Sequence, residues 1–155
     1  MKQRLRVAAY AVCIRVDAVL LARSPAADGG REWVLPGGGM EHGEDPVDTV
    51  VREVAEETGY TAEVTALLGV DSLHVPDHPG RLGTRVDHQS LRLLYEGRVV
   101  GGALRPEANG STDLAAWHPL AAVPALRRVP LVDTALRLWP ERPATGRLPD
   151  PAGNG

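Results

Sequence analysis

The 155-residue chain has no phenylalanine, one lysine and one cysteine. A lone Cys13 excludes an internal disulfide and fits a reducing compartment, so a cytoplasmic location is expected. Cys13 lies in an apolar run and reads as a small buried hydrophobe rather than a nucleophile. With no second cysteine and no ligand spacing among the five histidines, the chain carries no zinc pattern. Long hydrophobic runs are missing too. No stretch reaches the roughly 18 apolar residues of a membrane helix, so no membrane partner is expected. The start, MKQRLRVAAYAVCIRV, is basic like a signal peptide, but its apolar run is only about eight residues and alternates like a strand. Excess positive charge is also absent. A net charge of −3, a pI near 5.9 and scattered arginines give no electrostatic footprint for nucleic acid.

What is present suits one domain with a real core: 43% of residues are hydrophobic. Residues 4–16 read as one strand, with Tyr10, Val12, Ile14 and Val16 on one face. A turn at Asp17-Ala18 leads to a second strand, Val19 to Arg23. A loop over 24–31 is followed by the apolar Trp33-Val34-Leu35. Strands are expected over 61–75, 89–99 and 113–117, and helices from His118-Pro119 and over 131–138. The stretch 76–88, PDHPGRLGTRVDH, has the composition of a mobile loop, and 100–112 reads as irregular. The domain is expected to span 1–139, with 140–155 a Pro/Gly-rich disordered tail.

The most specific segment is Gly38 to Tyr60, GGMEHGEDPVDTVVREVAEETGY. Asp45-Pro46 is a helix start, Asp48 favours the first turn, and Gly59 is a stop. The expected helix is 46–58. On a helical wheel, Val47, Val50, Val51, Val54, Ala55 and Thr58 fall on one side. Glu56, Glu53 and Glu57 lie opposite at about 180°, 240° and 280°, with Arg52 near 140°. Carboxylates at i, i+3 and i+4 repel one another. Converging from one helix, they suit a hard cation such as Mg²⁺ or Mn²⁺, which prefers oxygen ligands. Glycines just before the helix, in Pro36-Gly37-Gly38-Gly39, let backbone approach a ligand closely.

The fixed positions Gly38, Glu44, Arg52-Glu53, Glu56-Glu57 and Gly59 resemble the Nudix box, Gx5Ex7REUxEExGU, with Tyr60 in place of the usual aliphatic. The resemblance extends over residues 4–139. It implies the α/β Nudix fold, a mixed β-sheet sandwiched between α-helices (α/β/α). It also implies an enzyme that uses Mg²⁺ (or Mn²⁺) to cut the phosphoanhydride of a nucleoside diphosphate linked to another group. Glu53, Glu56, Glu57 and the Gly37 carbonyl are the implied metal ligands, with Arg52 and Glu44 orienting them. The general base comes from Glu53, Glu41 or Glu107. An acidic residue common three positions before the late tryptophan is here Leu114, with Asp113 next to it. Trp33, Arg23, Gly38 and Glu107 are candidate substrate contacts.

The implied partner is a small nucleotide, and a homodimer follows from family habit. Pro76, 16 residues past the box, resembles a marker of the ADP-ribose-cleaving group. It puts ADP-ribose or a nucleotide sugar ahead of a (d)NTP as substrate. A non-catalytic nucleotide-binding module is the alternative from a different class. The intact carboxylates argue against it.

Overall fold

The computed structural model describes residues 1–107 and 112–149. Its strands are β1 (Lys2–Val12), β2 (Ile14–Arg15), β3 (Ala18–Pro25), β4 (Arg31–Val34), β5 (Gly37–Gly39), β6 (Tyr60–Pro79), β7 (Arg85–Gly102) and β8 (Leu114–Pro119). The helices are α1 (Pro46–Thr58) and α2 (Pro130–Glu141). One mixed sheet runs β5-β1-β7-β6, with β1 and β7 parallel. In the second, β3 is flanked by β2 and β4 on one edge and by β8 on the other. Helix α1 closes one core through Val50 and Val54 against Ala9, Ala11, Leu20 and Tyr95. Helix α2 closes the other through Leu131, Val132, Ala135 and Leu138 against Val12, Leu21, Leu68 and Leu94. This is the expected α/β/α sandwich. Small Ala9 and Ala11 under α1 let the glutamate helix lie close to the sheet.

Several local expectations are corrected. The single strand expected over 4–16 is two strands in different sheets, because the chain crosses over at Cys13, whose carbonyl accepts from Leu20 N at 3.0 Å. Val16, expected on the face of Tyr10 and Val12, is instead 88% exposed with φ +51° in a two-residue hairpin turn with Asp17. The expected loop 76–88 is the outer part of a long β6–β7 hairpin. Only Gly80–Thr84 turns, closed by Gly80 N to Thr84 O at 2.8 Å. Pro76 sits where the ladder shifts register between Val75 and His78, so its missing N–H interrupts nothing. Of the stretch 100–112 expected to be irregular, 100–102 belong to β7, 103–107 lie outside any helix or strand and 108–111 lie outside the described residues; the helix expected from His118-Pro119 is a 3₁₀ segment, Leu120–Ala125.

Helix α1 has the expected bounds. Asp45 accepts from Val47 N, and Gly59 adopts φ +83° as the left-handed cap. Its buried arc, however, is rotated toward the acidic side: Thr49, Val50, Val54, Glu57 and Thr58 are buried, while Val47 is exposed. The expected tail also departs. Pro140 and Glu141 finish α2, and Gly146 O accepts from Val70 N at 2.7 Å, with Leu148 packed against the core. Residues 150–155 lie outside the described part. Among the described residues, no helix is long and apolar enough to cross a membrane.

Candidate active site

The site forms where α1 meets the glycine strand β5. Gly37, Gly38 and Gly39 pair antiparallel with Tyr10, Ala9 and Ala8. A Cβ on Gly37, which has φ +149°, would lie 2.4 Å from Ala9 O. A Cβ on Gly38 would lie 2.9 Å from Glu53 Oε1. The first glycine is required by the strand beneath it; at the second, a methyl would displace the Glu53 carboxylate above it.

Glu57 is 5% exposed, and its carboxylate accepts a hydrogen bond from Gly37 N at 3.1 Å. Burial pushes its pKa up, as does Glu53 within hydrogen-bonding reach, with Glu107 adding further repulsion. Arg52 organises the remaining carboxylates. Its Nε and Nη2 donate to the two oxygens of Glu44 at 2.8 and 3.0 Å, and Nη1 donates to Glu53 at 3.0 Å and Glu56 at 3.4 Å. Nη2 also reaches Gly39 O at 3.3 Å. Glu44 additionally accepts from Thr49 Oγ1 at 2.6 Å and Glu41 N at 3.1 Å. The Arg52 and Thr49 hydrogen bonds hold its pKa down at about 2. Glu44 is therefore a fixed anion that anchors the Arg52 guanidinium.

Glu53 and Glu57 thus converge on the glycine strand, while Glu56 is 49% exposed on its side chain and turned to Arg52. Among the described residues, no three acidic, His or Cys side chains are already gathered as a ligand set. A cleft of about 380 Å³ opens beside Glu53 and Glu57, lined also by Gly37–Gly39, Arg6, Tyr10, Ser24 and Thr112. Glu107 accepts a 2.5 Å hydrogen bond from Oγ1 of the cleft-lining Thr112. Glu41 stays outside, 70% exposed and 3.8 Å from Arg52 Nη1.

Two expected substrate residues are not brought to the cleft. Arg23 forms a fork with Asp113 through bonds of 3.1 Å, and Arg31 adds a contact at 3.6 Å. Asp113 is therefore occupied as a structural anion. Trp33 packs on the α2-side core and edge-on against His118, ring centroids 4.2 Å apart. Arg6, Tyr10, Ser24 and Thr112 were not identified from sequence. Arg6 and Tyr10 could have been found by following β1's alternation toward the glycines. Nothing local marks Ser24 or Thr112.

Residues 4–138 match the NUDIX domain. The chain is 32% identical over 110 residues to the 8-oxo-dGDP phosphatase NUDT18 of Homo sapiens, covering 70% of this chain and 30% of that protein. It is also 32% identical over 124 residues to the RNA pyrophosphohydrolase of Acidiphilium cryptum, covering 72% and 73%. Among solved structures, a MutT NUDIX hydrolase from Burkholderia pseudomallei superposes with a TM-score of 0.72 at 26% identity, covering 88% of this chain and 98% of that one. The matched part is thus less than a third of the human relative's length.

Proposed function

The chain belongs to the NUDIX hydrolase family, and on that premise we propose that it hydrolyses a phosphoanhydride in a nucleoside 5′-di- or triphosphate. The observation that carries this reading is the convergence of Glu53 and the buried Glu57 on the Gly37–Gly39 strand at the base of an open cleft. Two carboxylates brought together at low exposure, in a cleft whose lining, among the described residues, holds no Cys or His, fit a hard divalent cation. The family uses such cations, and Glu53, Glu57, Glu56 and the Gly37 carbonyl are the residues that would hold Mg²⁺ here. When bound, the ion supplies charge neutralisation at the phosphates and a more acidic water.

The protein's own groups do the rest. Arg52 holds Glu53 beside the glycine strand and keeps Glu56 at its own guanidinium, and Glu44 keeps Arg52 in place. Arg6, on the cleft wall beside Gly39, meets phosphate charge. Of the three candidate bases, Glu107 is supported best. Its carboxylate is held by Thr112 of the cleft lining and lies within electrostatic reach of Glu57, where it can take the proton of the attacking water.

The human relative's name, an 8-oxo-dGDP phosphatase, supports a nucleoside di- or triphosphate. The ADP-ribose reading rested on Pro76, and the register shift in β6 already accounts for a proline there. ADP-ribose and nucleotide sugars remain the second reading within the same chemistry. A Mg²⁺-dependent hydrolysis screen with product identification tests the assignment. Turnover of (d)NTPs, oxidised (d)NTPs or (d)NDPs, abolished by chelator, is the expected result. Turnover confined to ADP-ribose selects the second reading. Tight nucleotide binding without any turnover would assign the chain to the binding-module class.

A further inference from the structure

Strand β1 begins with Lys2, Arg4 and Arg6 at alternate positions, so strand periodicity puts all three on one face. Among arginines scattered along the chain, the strand gathers these two beside Lys2. Among the described residues, ten of the sixteen arginines form ion pairs, yet Lys2, Arg4 and Arg6 have no carboxylate partner there. The neighbouring strand does not balance them. Lys2 is in register with Val86, Arg4 with His88 and Arg6 with Ser90. From β6, Val75 pairs with His88 and His78 with Val86, and the His78 and His88 rings stand 5.1 Å apart. His88 Nδ1 is buried without a hydrogen-bond partner. Both arginines and His78 are close enough to help burial lower the His88 pKa.

The stripe has a direction. Arg6 lines the glutamate cleft, its Nη2 3.5 Å from where a Gly39 Cβ would be. Arg4 stands about 7 Å further from the cleft along β1, and Lys2 about 7 Å beyond that. A row of like charges leading out of a phosphate-handling cleft repels itself and gains most from an anion laid along it.

We propose that this face is a remote phosphate subsite, selecting small nucleotide substrates that carry a phosphate beyond the scissile anhydride. Arg6 faces the near end, and Arg4, with His88 beside it, takes the additional phosphate. Lys2 adds longer-range attraction. The inference rests on the hydrolase reading above and deepens it to a substrate class: longer polyphosphate chains, or nucleotides phosphorylated a second time away from the reacting diphosphate.

The test uses ligand pairs differing by one phosphate: ATP against adenosine 5′-tetraphosphate, and ADP-ribose against its 2′-phosphorylated form. For each pair, kcat/KM is measured with Mg²⁺ and Kd by calorimetry without turnover, in wild type, Arg4→Gln and Lys2→Gln. In wild type the extra phosphate should improve Kd, and kcat/KM for whichever pair is turned over, about tenfold, as one charge-assisted contact allows. Arg4→Gln should remove most of that ratio and Lys2→Gln a smaller part. The advantage should shrink as salt rises. Equal affinity within both pairs, or a preference that survives Arg4→Gln, overturns the subsite. A preserved binding preference with no hydrolysis of any pair overturns the hydrolase reading alone. Stronger Arg4-dependent turnover of a 5′-triphosphorylated oligonucleotide than of the small molecules overturns the small-molecule assignment in favour of RNA ends.

Discussion

Gly37 donates its backbone N–H to the Glu57 carboxylate at 3.1 Å, across twenty residues of sequence. That bond ties the glycine strand to the acidic helix and holds a 5%-exposed carboxylate beside Glu53. Crowding two carboxylates at such low exposure opposes stability.

Glu57→Gln separates that cost from the carboxylate's role in activity. Glutamine preserves shape and cannot ionise, so the metal-free melting temperature should hold or rise. Mg²⁺ should then stabilise the variant less than wild type. Activity should fall at least ~100-fold in kcat, about 2.7 kcal/mol of transition-state stabilisation. Parallel melting curves with and without Mg²⁺, beside steady-state rates, check it. Wild-type rates in both Glu57→Gln and Glu53→Gln would sink the site.

The adjacent glycines should fail differently. Gly37→Ala sets a methyl against the backbone of β1 in a conformation that L side chains avoid, so it should unfold the protein at lower temperature. In Gly38→Ala the methyl meets only the movable end of Glu53. Stability should change by less than about 1 kcal/mol while kcat falls at least about tenfold. Thermal melts and kinetics on the two variants decide it.

Glu44 predicts a pH dependence with a definite sign. Its folded pKa of about 2 lies below its ordinary value near 4.5. Its stabilisation is therefore complete above the ordinary value and is lost as pH falls through about 2. Replacing Glu44 with Gln should flatten the stability-versus-pH curve between those limits. It should also lower kcat at neutral pH, because Arg52 loses its two-pronged anchor. An unchanged acid limb in urea titrations across that range would contradict the anchoring role.

Cys13 is 1% exposed, and burial pushes its thiol pKa up to about 12. It should resist a thiol reagent at pH 8 in the native protein and react fully in denaturant. Cys13→Ala should leave kcat/KM unchanged. Prompt labelling of the folded chain would place the thiol at the surface.

Removing residues 143–155 should lower the melting temperature. The Val70–Gly146 hydrogen bond and the packing of Leu148 would both be lost. Together they are worth about 2 kcal/mol, or roughly 4–8 °C for a domain of this size. A shift within a degree would mean that this segment contributes nothing to the fold.

The acidic helix and its family were legible from Gly38–Tyr60, because capping, spacing and charge along one helix are local properties. Asp45, Pro46 and Gly59 set its ends in sequence and structure alike. The wheel located the carboxylates relative to one another, but a helix in isolation has no sheet to face. Contact with Ala9, Ala11 and β5 rotated the buried arc onto Glu57 and turned Glu56 out to Arg52. Composition likewise read 76–88 as a loop, since Pro, Gly and His report local preference and not the ladder that absorbs them in a bulge. The same limit hid the stripe of Lys2, Arg4 and Arg6. Their alternation is visible in the chain, but whether a carboxylate answers them depends on which residues the neighbouring strands bring alongside. Local chemistry settles what a segment is; long-range pairing settles which of its faces meets the ligand.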